Sequence, residues 1–600
     1  MQQYVFIVII AIVFLAMIIF AVIDKIKARK VGNGQHGTAH WAEHKEISQN
    51  FSILKYEPQL WRMGACRPTI DGTIVGFEKK GKDTYALIDT SDVHTLMIAA
   101  AGTGKTTFFL EPNIEYCYAA GMSFISTDTK GDIYRNCGYV AAKRYGYKIS
   151  VIDLRNPLKS DGFNLLHLVK KYMDEHKNNP LNISAKAKSE RYAKIVADSI
   201  IAADGDKYGA NTYFYDAAKG LIAALILIIA EYGNDKECHI VSVLKLMIEL
   251  LEAKPQKKSQ LKSETYFADL IKLLPPEHKA RWLSGAAINN ADQAALSVIS
   301  TALSRLNSLI DTETEQILCF NTAIDTETLC KEKCAVFIVL PEEDRTKYVI
   351  ANLIIEQISR EIYHIADENG GHLDKRIMIY FEEFGTMPPI SGVEAMFSAL
   401  RSRSVSIVAI IQSFAQLEKN YGKQGAEIIV DNTQLMLFGG FAPGSSSAEK
   451  LSKDLGKQTI LTGSISKGNG GKNSGHQSQQ LQMTGRELIT ADELKCLPKG
   501  TFICTKTGMS PFKVQLLFYE KLGIRYDEKL NAEIKEVKTV YYADRKSISK
   551  VIKKQHIDEQ ENEMNKEENV SDINELITDY SLEEDDIFTE TPSSKKMIRT

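Results

Sequence analysis

The stretch that most constrains the fold is IAAAGTGKTTFFLEPN at residues 98–113. Gly104, Lys105 and Thr106 match the end of the phosphate-binding pattern G-x-x-x-x-G-K-[ST], which follows a strand and opens a helix. The apolar run at about 93–101 supplies such a strand, and a helical pattern follows the loop. We therefore expect a parallel α/β fold that carries a nucleotide site.

The pattern departs from the usual one at Ala99, which stands where the first glycine belongs. Only a positive backbone angle φ demands glycine, so alanine is tolerated there if φ is negative. ATP and Mg²⁺ are the predicted cofactors: Lys105 would reach the β- and γ-phosphates, and the Thr106 hydroxyl would hold the metal. The alternative is an ordinary glycine turn. The predicted nucleotide-binding residues are Ala101, Gly102, Thr103, Gly104, Lys105, Thr106 and Thr107.

A second site segment is RIMIYFEEFG at 376–385, an apolar strand that ends in Glu382 and Glu383. Such a strand end supplies the carboxylate that holds the water shell of Mg²⁺. Glu382 is predicted in this role, and Glu383 as the general base that polarises the attacking water. Aspartate is usual at the first position, and glutamate is one methylene longer. The alternative is a strand that ends in a solvated acidic turn.

The segment ALRSRSVSIVAIIQS at 399–413 supplies two further candidates. Arg401 or Arg403, just before the strand, could stabilise the γ-phosphate of a neighbouring subunit as an arginine finger does. Gln412, just after the strand, could sense the γ-phosphate. The alternatives are a cation that satisfies a helix C-terminus and a capping amide.

Residues 4–23 are twenty consecutive apolar residues, long enough to cross a bilayer as a helix. Lys25, Lys27, Arg29 and Lys30 follow this run and no basic residue precedes it, so the positive-inside rule places the rest of the chain in the cytoplasm. We predict a single-pass anchor in the cytoplasmic membrane. The alternatives are a cleaved signal or a buried core helix.

The distribution of apolar runs and helical patterns along the chain predicts its domain organisation. Short apolar runs alternate with helical patterns on both sides of a long, strand-poor stretch, which is typical of an α/β domain with an all-helical insertion. The apolar run at 221–230 is too short to span a membrane and is predicted as a core helix. The predicted parts are the anchor at 4–23, a loop-like juxtamembrane segment at 31–75, the nucleotide-binding domain at 76–165 and 326–540, the helical domain at 166–325, a flexible Gly/Ser/Asn/Gln-rich loop at 463–480, and a charged disordered tail at 545–600.

Charge and cysteine content narrow the function classes. The formal net charge is −3 and the pI is about 6.5, so any surface for nucleic acid must be local. Candidates are 254–262, Lys467 and Lys472, with plain solvated surface as the alternative. None of the nine cysteines forms a C-x-x-C pair, which is typical of reduced thiols in a cytosolic body.

Several segments together resemble the coupling proteins of type IV secretion, the TraG-type ATPases of bacterial conjugation. D-x-K-G-[DE] after a strand and strand–Gln–Ser–x–x–Gln–Leu are specific to that family, and the resemblance covers about 35–520. The segments are 98-IAAAGTGKTT-107, 122-MSFISTDTKGDIY-134, 151-VIDLRNPLKSDGFNLL-166, 335-AVFIVLPEED-344, 380-YFEEFGTM-387, 397-FSALRSRSVSIVAIIQSFAQLEKNYGK-423 and 486-RELITADEL-494.

The resemblance implies a RecA-like nucleotide-binding domain with an inserted helical domain, assembled as a hexameric ring at the inner membrane. It implies partners: a relaxase–DNA complex as substrate and the proteins of a secretion channel. It also implies residue roles by position, with Arg401 as the arginine finger and Gln412 as the motif glutamine. Asp128 and Lys130 belong to a family segment whose chemical role the sequence does not reveal.

Three departures from the family pattern matter: Ala99, Glu382, and one visible membrane span where many members have two. Competing functions remain open at this level. The same motor could recruit effector proteins in place of DNA, or could be an FtsK-type DNA translocase, although such a translocase should have several spans and a C-terminal DNA-reading domain. An inactive ATP-binding scaffold is a third alternative if Glu382 cannot support the metal.

Overall fold

The structure is a computed structural model and describes residues 11–22, 34–202, 212–251, 266–285, 292–307, 309–343, 345–467 and 477–558. The chain divides into two compact units. The first unit comprises the described parts of Met1–His167, Asp198–Tyr208 and Ser308–Lys538, and the second comprises Leu168–Ala197 with the described parts of Gly209–Asn307 and of the segment from Thr539.

All the named strands lie in the first unit. They are β1 (Ser52–Lys55), β2 (Thr73–Lys80), β3 (Asp83–Asp89), β4 (Thr95–Ala99), β5 (Ser123–Asp128), β6 (Lys148–Asp153), β7 (Cys334–Val339), β8 (Ile377–Phe381), β9 (Val405–Ile411), β10 (Leu435–Gly439), β11 (Lys457–Lys467), β12 (Gln477–Glu487), β13 (Thr501–Lys506) and β14 (Phe512–Gln515).

Nine of these strands form one mixed sheet in the order β14-β13-β10-β4-β9-β8-β5-β7-β6. The seven strands from β10 to β6 are parallel, and β13 and β14 add an antiparallel edge. The central strands are buried on both faces, which explains their continuous apolar runs. Because the strands are parallel, the carboxyl ends of β4, β5, β8 and β9 meet at one edge of the sheet, where open α/β sheets bind ligands.

The helices of the first unit cover the sheet and connect its parallel strands. Besides the N-terminal helix Ala11–Val22, the α-helices of this unit are His44–Asn50, Pro58–Arg62, Glu111–Ala120, Asp132–Tyr145, Thr312–Leu318, Thr326–Lys331, Tyr348–Glu368, Val393–Ala399, Phe414–Asp431, Ser446–Asp454 and Ala491–Lys495. A π-helix spans Lys105–Leu110, and 3₁₀ turns span Pro157–Lys159, Arg345–Lys347, Arg401–Arg403 and Tyr519–Leu522.

Every described secondary-structure element of the second unit is helical. Thr212–Tyr232 is long and apolar enough to cross a membrane, yet two thirds of its most apolar window is buried within the protein, which agrees with a core helix at 221–230. The helices that lie wholly or mainly in this unit are His167–Asn178, Ile183–Ala202, Thr212–Tyr232, Ile240–Leu251, Tyr266–Leu273, Lys279–Leu283, Asp292–Asn307 and residues 545–558, with a 3₁₀ turn at Asp235–Glu237.

The segment at 31–75 is more ordered than we predicted. Its described part contains two short helices and β1, which pairs with β3 in a three-stranded antiparallel sheet of order β1-β3-β2. Phe51, Tyr56 and Trp61 are buried in the core of the first unit. These aromatic residues are too widely spaced to give a periodic signal, so the sequence pattern was interpreted wrongly as loop-like.

Two further predicted boundaries are wrong. The predicted flexible loop at 463–480 is entered by both strands of the β11–β12 hairpin, and residues 468–476 lie outside the described part. The predicted disordered tail begins with a helix at 545–558. Ile548 and Ile552, four residues apart, are both buried, so one face of this charged helix is apolar although its average composition is not.

The predicted membrane anchor at 4–23 is described only in part. Ala11–Val22 is an apolar helix whose large side chains are exposed, among them Phe14 and Phe20. Residues 1–10 and 23–33 lie outside the described part. Residues 309–325, assigned by sequence to the helical domain, belong to the first unit.

Candidate nucleotide-binding site

The phosphate loop connects β4 to the helix that starts at Lys105. Ala99 is the last residue of β4 and is not among the residues with positive φ, so the condition under which alanine replaces glycine is met. Gly102 and Gly104 have φ of 75° and 89°, in the left-handed region that glycine adopts without strain. The helix opens with the π-helical turn Lys105–Leu110, a rare geometry that often marks functional sites.

The neighbouring strand β10 braces this loop. The Ala100 N–H donates to the Gly440 carbonyl oxygen at 3.1 Å, and the Thr103 hydroxyl donates to the Ala100 carbonyl at 2.8 Å. Gly440 has φ of 58°, and a Cβ atom there would lie 2.2 Å from Thr103 Cγ2. Gly440 is therefore required twice over, for its φ and for its lack of a side chain. The sequence analysis missed it, although the double glycine after QLMLF is a visible signal.

The structure brings Lys105, Glu383 and Gln412, three residues of the predicted site, into contact. The Lys105 Nζ lies 3.1 Å from Glu383 Oε1 and donates to the Ala99 carbonyl at 3.2 Å. Gln412 Nε2 donates to Glu383 Oε2 at 3.0 Å. Glu383 adopts φ of 55°, rare for a residue with a side chain and often found at functional sites. Its carboxylate is thus fixed by a cation on one oxygen and an amide on the other.

Thr106 and Glu382 form the second pair of the site. The Thr106 hydroxyl donates to Glu382 Oε1 at 2.7 Å, and the Thr129 N–H donates to Glu382 Oε2 at 3.3 Å. The longer glutamate side chain therefore reaches the hydroxyl that would hold Mg²⁺. Burial raises the pKa of Glu382 to about 7, with the nearby Asp128 adding to the rise. A divalent cation bound beside Glu382 would favour its charged form and counter this shift.

The family segment 128–132 has a structural role. Asp128 Oδ1 accepts from the N–H groups of Lys130 and Gly131, and its Oδ2 accepts from the Tyr134 N–H at 2.8 Å. The side chain thereby accepts from a first-turn N–H of the helix Asp132–Tyr145, whose N-cap residue is Gly131. The same turn holds Thr129 where its N–H reaches Glu382. Asp128 thus positions a residue that contacts Glu382.

Glu111 is a buried carboxyl group near this pair that the sequence analysis missed. It lies on the phosphate-loop helix and is 3% exposed. Asn136 Nδ2 donates to its Oε1 at 3.3 Å, and within the described part of the chain its Oε2 has no partner. Burial raises the pKa of Glu111 to about 7, and the charge of Glu382 adds to the rise. Nothing in the sequence pattern distinguished it from an ordinary first-turn glutamate.

Arg401 is not part of this constellation within one chain. It precedes β9, whereas Gln412 follows it, so the two residues flank opposite ends of a seven-residue strand. Such a strand is about 23 Å long. Arg401 is exposed, and its Nη1 lies near the side-chain amide of Gln434. The structure therefore places Arg401 at the sheet edge opposite the phosphate loop.

Arg403 fits the alternative interpretation, a cation that satisfies a helix C-terminus. Its Nη1 donates to the carbonyl of Ala399, the last residue of the helix Val393–Ala399, and its Nη2 donates to Asp367 at 3.1 Å. The guanidinium also lies over the Tyr363 ring. The predicted nucleic-acid candidates 254–262 and Lys472 lie outside the described residues, and Lys467 ends β11.

Comparison with known proteins gives consistent results. The family model described as "Type IV secretory system Conjugative DNA transfer" matches residues 41–547. The type IV secretion system-coupling protein VirD4 of Bartonella quintana is 21% identical over 484 residues, which cover 78% of this chain and 70% of that protein. The conjugal transfer protein TraG of Escherichia coli is 22% identical over 483 residues, covering 77% of this chain and 71% of that protein.

Solved structures agree on the fold. The plasmid coupling protein TrwB in complex with ADP and Mg²⁺ superposes with a TM-score of 0.53 at 13% identity, covering 84% of this chain and 100% of that chain. TrwB in complex with a non-hydrolysable ATP analogue gives a TM-score of 0.51 and likewise covers 84% of this chain and 100% of that chain. At this identity the likeness concerns the fold alone: a large mixed α/β sheet with flanking helices.

The fold and the site define an α/β protein with a phosphate-binding loop beside an acidic strand end. The family match extends over most of the chain, well beyond that loop. The chain belongs to the type IV secretory system conjugative DNA transfer family.

Proposed function

We propose that this protein is an ATPase that couples a relaxase–DNA substrate to a type IV secretion channel during conjugative transfer. The observation that carries the proposal is the family match over residues 41–547, which includes the phosphate loop and both acidic partners. The relatives named as coupling and conjugal transfer proteins support the same function.

Each residue of the site has a distinct task in hydrolysis. Lys105 would leave Glu383 and turn to the β- and γ-phosphates of ATP, while Thr106 and Glu382 would hold the metal and its water shell. Mg²⁺, when bound, neutralises charge on the phosphate oxygens. Freed from the lysine, Glu383 accepts a proton from the attacking water, and the amide of Gln412 keeps its carboxylate oriented.

Arg401 acts on the nucleotide of a neighbouring copy. Because it lies at the opposite sheet edge from Lys105, it cannot reach the phosphate loop of its own chain. A head-to-tail ring would bring this edge of one copy to the loop of the next, and we propose a homo-hexamer. The second unit serves as the helical domain of each copy.

A mixing experiment tests the arrangement of Arg401. Lys105→Ala and Arg401→Ala should each be inactive alone. In a 1:1 mixture, about a quarter of the interfaces in a random ring combine an intact lysine with an intact arginine, so hydrolysis should reach about a quarter of the wild-type rate. A mixture as inactive as its components would refute an arginine supplied by the neighbour.

The chain is anchored in the cytoplasmic membrane by the helix within residues 4–23, with its bulk in the cytoplasm. The exposed apolar side chains of Ala11–Val22 support this placement, because a lipid environment would cover them. Basic residues after the span support the orientation.

DNA transfer from cells that carry the protein tests the proposed function. Lys105→Ala should abolish transfer to recipient cells, whereas Lys143→Ala, an exposed lysine on the same unit, should not. Unchanged transfer by the Lys105 variant would contradict the proposal. Secretion of a protein that depends on Lys105, without DNA transfer, would instead support an effector receptor.

A further inference from the structure

The second unit contains an open basic groove of about 900 Å³ between the helix Tyr266–Leu273 and residues 545–558. Six cationic side chains line it, and Asp269 is the single carboxylate among the lining residues. The lining cations are Lys272, Arg545, Lys546, Lys550, Lys553 and Lys554. This groove is remote in sequence from the phosphate loop and has no role in the mechanism above.

The 545–558 helix buries its apolar face and exposes its lysines to solvent. Ile548 and Ile552 are each 1% exposed and anchor one face of the helix. Lys550, Lys553 and Lys554 are exposed, and within the described part of the chain none of the three pairs with a carboxylate. The groove therefore presents three exposed lysine ammonium groups that no described carboxylate pairs with.

Apolar side chains accompany the charge. Leu270, Leu273 and Ile557 line the groove, and Ile557 is 55% exposed. The Arg545 guanidinium stacks on the Tyr266 ring at 3.6 Å from its centroid, which stiffens one wall. A matching ligand would thus combine several negative charges with apolar groups close to them.

The sequence of the same chain contains such a ligand. Residues 559–590 carry thirteen Asp and Glu residues against Lys566 as the single cation. Within them, LEEDDIF at 582–588 places four consecutive acidic residues between apolar ones. Charge and apolar pattern both match the groove.

Distance permits this match within one chain. The acidic run starts directly after residue 558, where the described groove helix ends. That helix is about 21 Å long. The 25 residues from 559 to 583 can span up to about 80 Å, which is more than enough to fold back along the helix. A tethered segment also acts at an effective concentration near the millimolar range.

We propose that the basic groove binds the acidic segment 582–588 of the same chain, so that this segment shields the groove from other anionic partners. A single-stranded nucleic acid or an acidic protein would have to displace the segment to reach the groove cations. Such internal competition would weaken non-specific anion binding and make it depend steeply on salt.

Carbodiimide cross-linking of the purified full chain, followed by mass spectrometry, tests the contact. Amide links should join Lys550, Lys553 or Lys554 to the 583–586 carboxylates at far higher yield than links from Lys194, an exposed control lysine in the same unit. The neutral-tail variant, Glu583→Gln/Glu584→Gln/Asp585→Asn/Asp586→Asn, should lose links to these positions. If the cross-link yield from the groove lysines is no higher than the yield from Lys194, the proposal is overturned.

The same experiment distinguishes one chain from two. In a mixture of ¹⁵N-labelled and unlabelled protein, the linked peptides should carry a single label type. Links that join a labelled peptide to an unlabelled one as often as random pairing predicts would overturn binding within one chain.

A peptide of residues 579–590 with a fluorescent label provides a second measurement by anisotropy. For a peptide Kd of about 0.1 mM and an effective concentration of about 1 mM, the neutral-tail variant should bind it about tenfold more tightly than the wild type. The groove variant, Lys550→Glu/Lys553→Glu/Lys554→Glu, should lose binding, with circular dichroism confirming that it is folded.

The peptide result also has a contrary outcome. Equal affinity of the wild type and the neutral-tail variant for the peptide would refute the tail as occupant. A labelled single-stranded oligonucleotide whose binding needs the groove lysines and ignores the tail charges would assign the groove to nucleic acid and overturn the proposal.

Discussion

Glu382→Asp tests whether the longer acidic side chain is required at the end of β8. Glu382 Oε1 accepts from the Thr106 hydroxyl at 2.7 Å and Oε2 accepts from the Thr129 N–H at 3.3 Å. Removal of one methylene withdraws the carboxylate by about 1.5 Å, the length of one carbon–carbon bond. The contact with Thr106 would open to roughly 4 Å, beyond hydrogen-bond distance.

The size of the effect follows from the lost contact. A hydrogen bond to a charged group contributes about 1.5–3 kcal/mol, which corresponds to roughly 10- to 100-fold in affinity. We therefore expect Glu382→Asp to weaken Mg²⁺-dependent binding of ADP by that factor. Calorimetric titration of the purified full chain with ADP, with Mg²⁺ and with EDTA, measures it directly.

Two controls make the result decisive. Glu382→Gln keeps the length and removes the charge, so it should lose the Mg²⁺-dependent part of the affinity while nucleotide binding in EDTA stays close to wild type. Glu368→Asp, at the exposed end of the first-unit helix Tyr348–Glu368, is the matched shortening away from the site and should leave the affinity unchanged. Wild-type affinity in Glu382→Asp, at the same Mg²⁺ concentration, would refute the assigned geometry.

The contacts of Gly440, Glu383 and Glu361 support three further predictions. Gly440→Ala should weaken ADP binding in the same titration, because the new Cβ would meet Thr103, whereas Gly444→Ala, with open space around it, should not; equal effects would contradict the bracing of the loop. Glu383→Gln should retain bound ATP on a filter assay while turnover falls, and unchanged turnover would exclude it as general base. Burial raises the pKa of Glu361 to about 7, above its ordinary value near 4.5, so its contribution to stability is full below about pH 4.5 and is lost as the pH rises through 7. The melting temperature of Glu361→Gln relative to wild type should therefore rise between pH 5 and pH 7, and a constant difference would contradict the buried acid.

The phosphate loop was predictable because its motif carries its own structural context. A strand, a glycine-containing turn and a helix start lie within about twenty residues, and Lys105 and Thr106 needed no distant contact to be recognised. Glu382 and Glu383 were predictable for a similar reason, as they end an apolar run. Whether Glu382 reaches Thr106 was not, because the two residues are 276 positions apart and their distance depends on the whole sheet.

Other features depend on contacts that no local pattern shows. Gly440 is required by Thr103, on another strand end, and Asp128 acts through the turn that positions Thr129. The 545–558 helix was interpreted as disordered because its composition is charged, although Ile548 and Ile552 carry its buried face. Average composition hides an apolar stripe of two residues.

The position of Arg401 could have been inferred from sequence alone. A residue that precedes a parallel strand lies at the amino edge of the sheet, and ligands bind at the carboxyl edge. A phosphate contact from Arg401 therefore needs a second copy of the chain, which links the site to its assembly.

The most direct test of the central claim is the rate of ATP hydrolysis by the purified full chain, with and without single-stranded DNA, beside Lys105→Ala. The account predicts hydrolysis that DNA stimulates and that the alanine variant loses in both conditions. Hydrolysis at the wild-type rate by Lys105→Ala would contradict the site, and Lys105-dependent hydrolysis that ignores DNA would contradict DNA as the substrate of the motor.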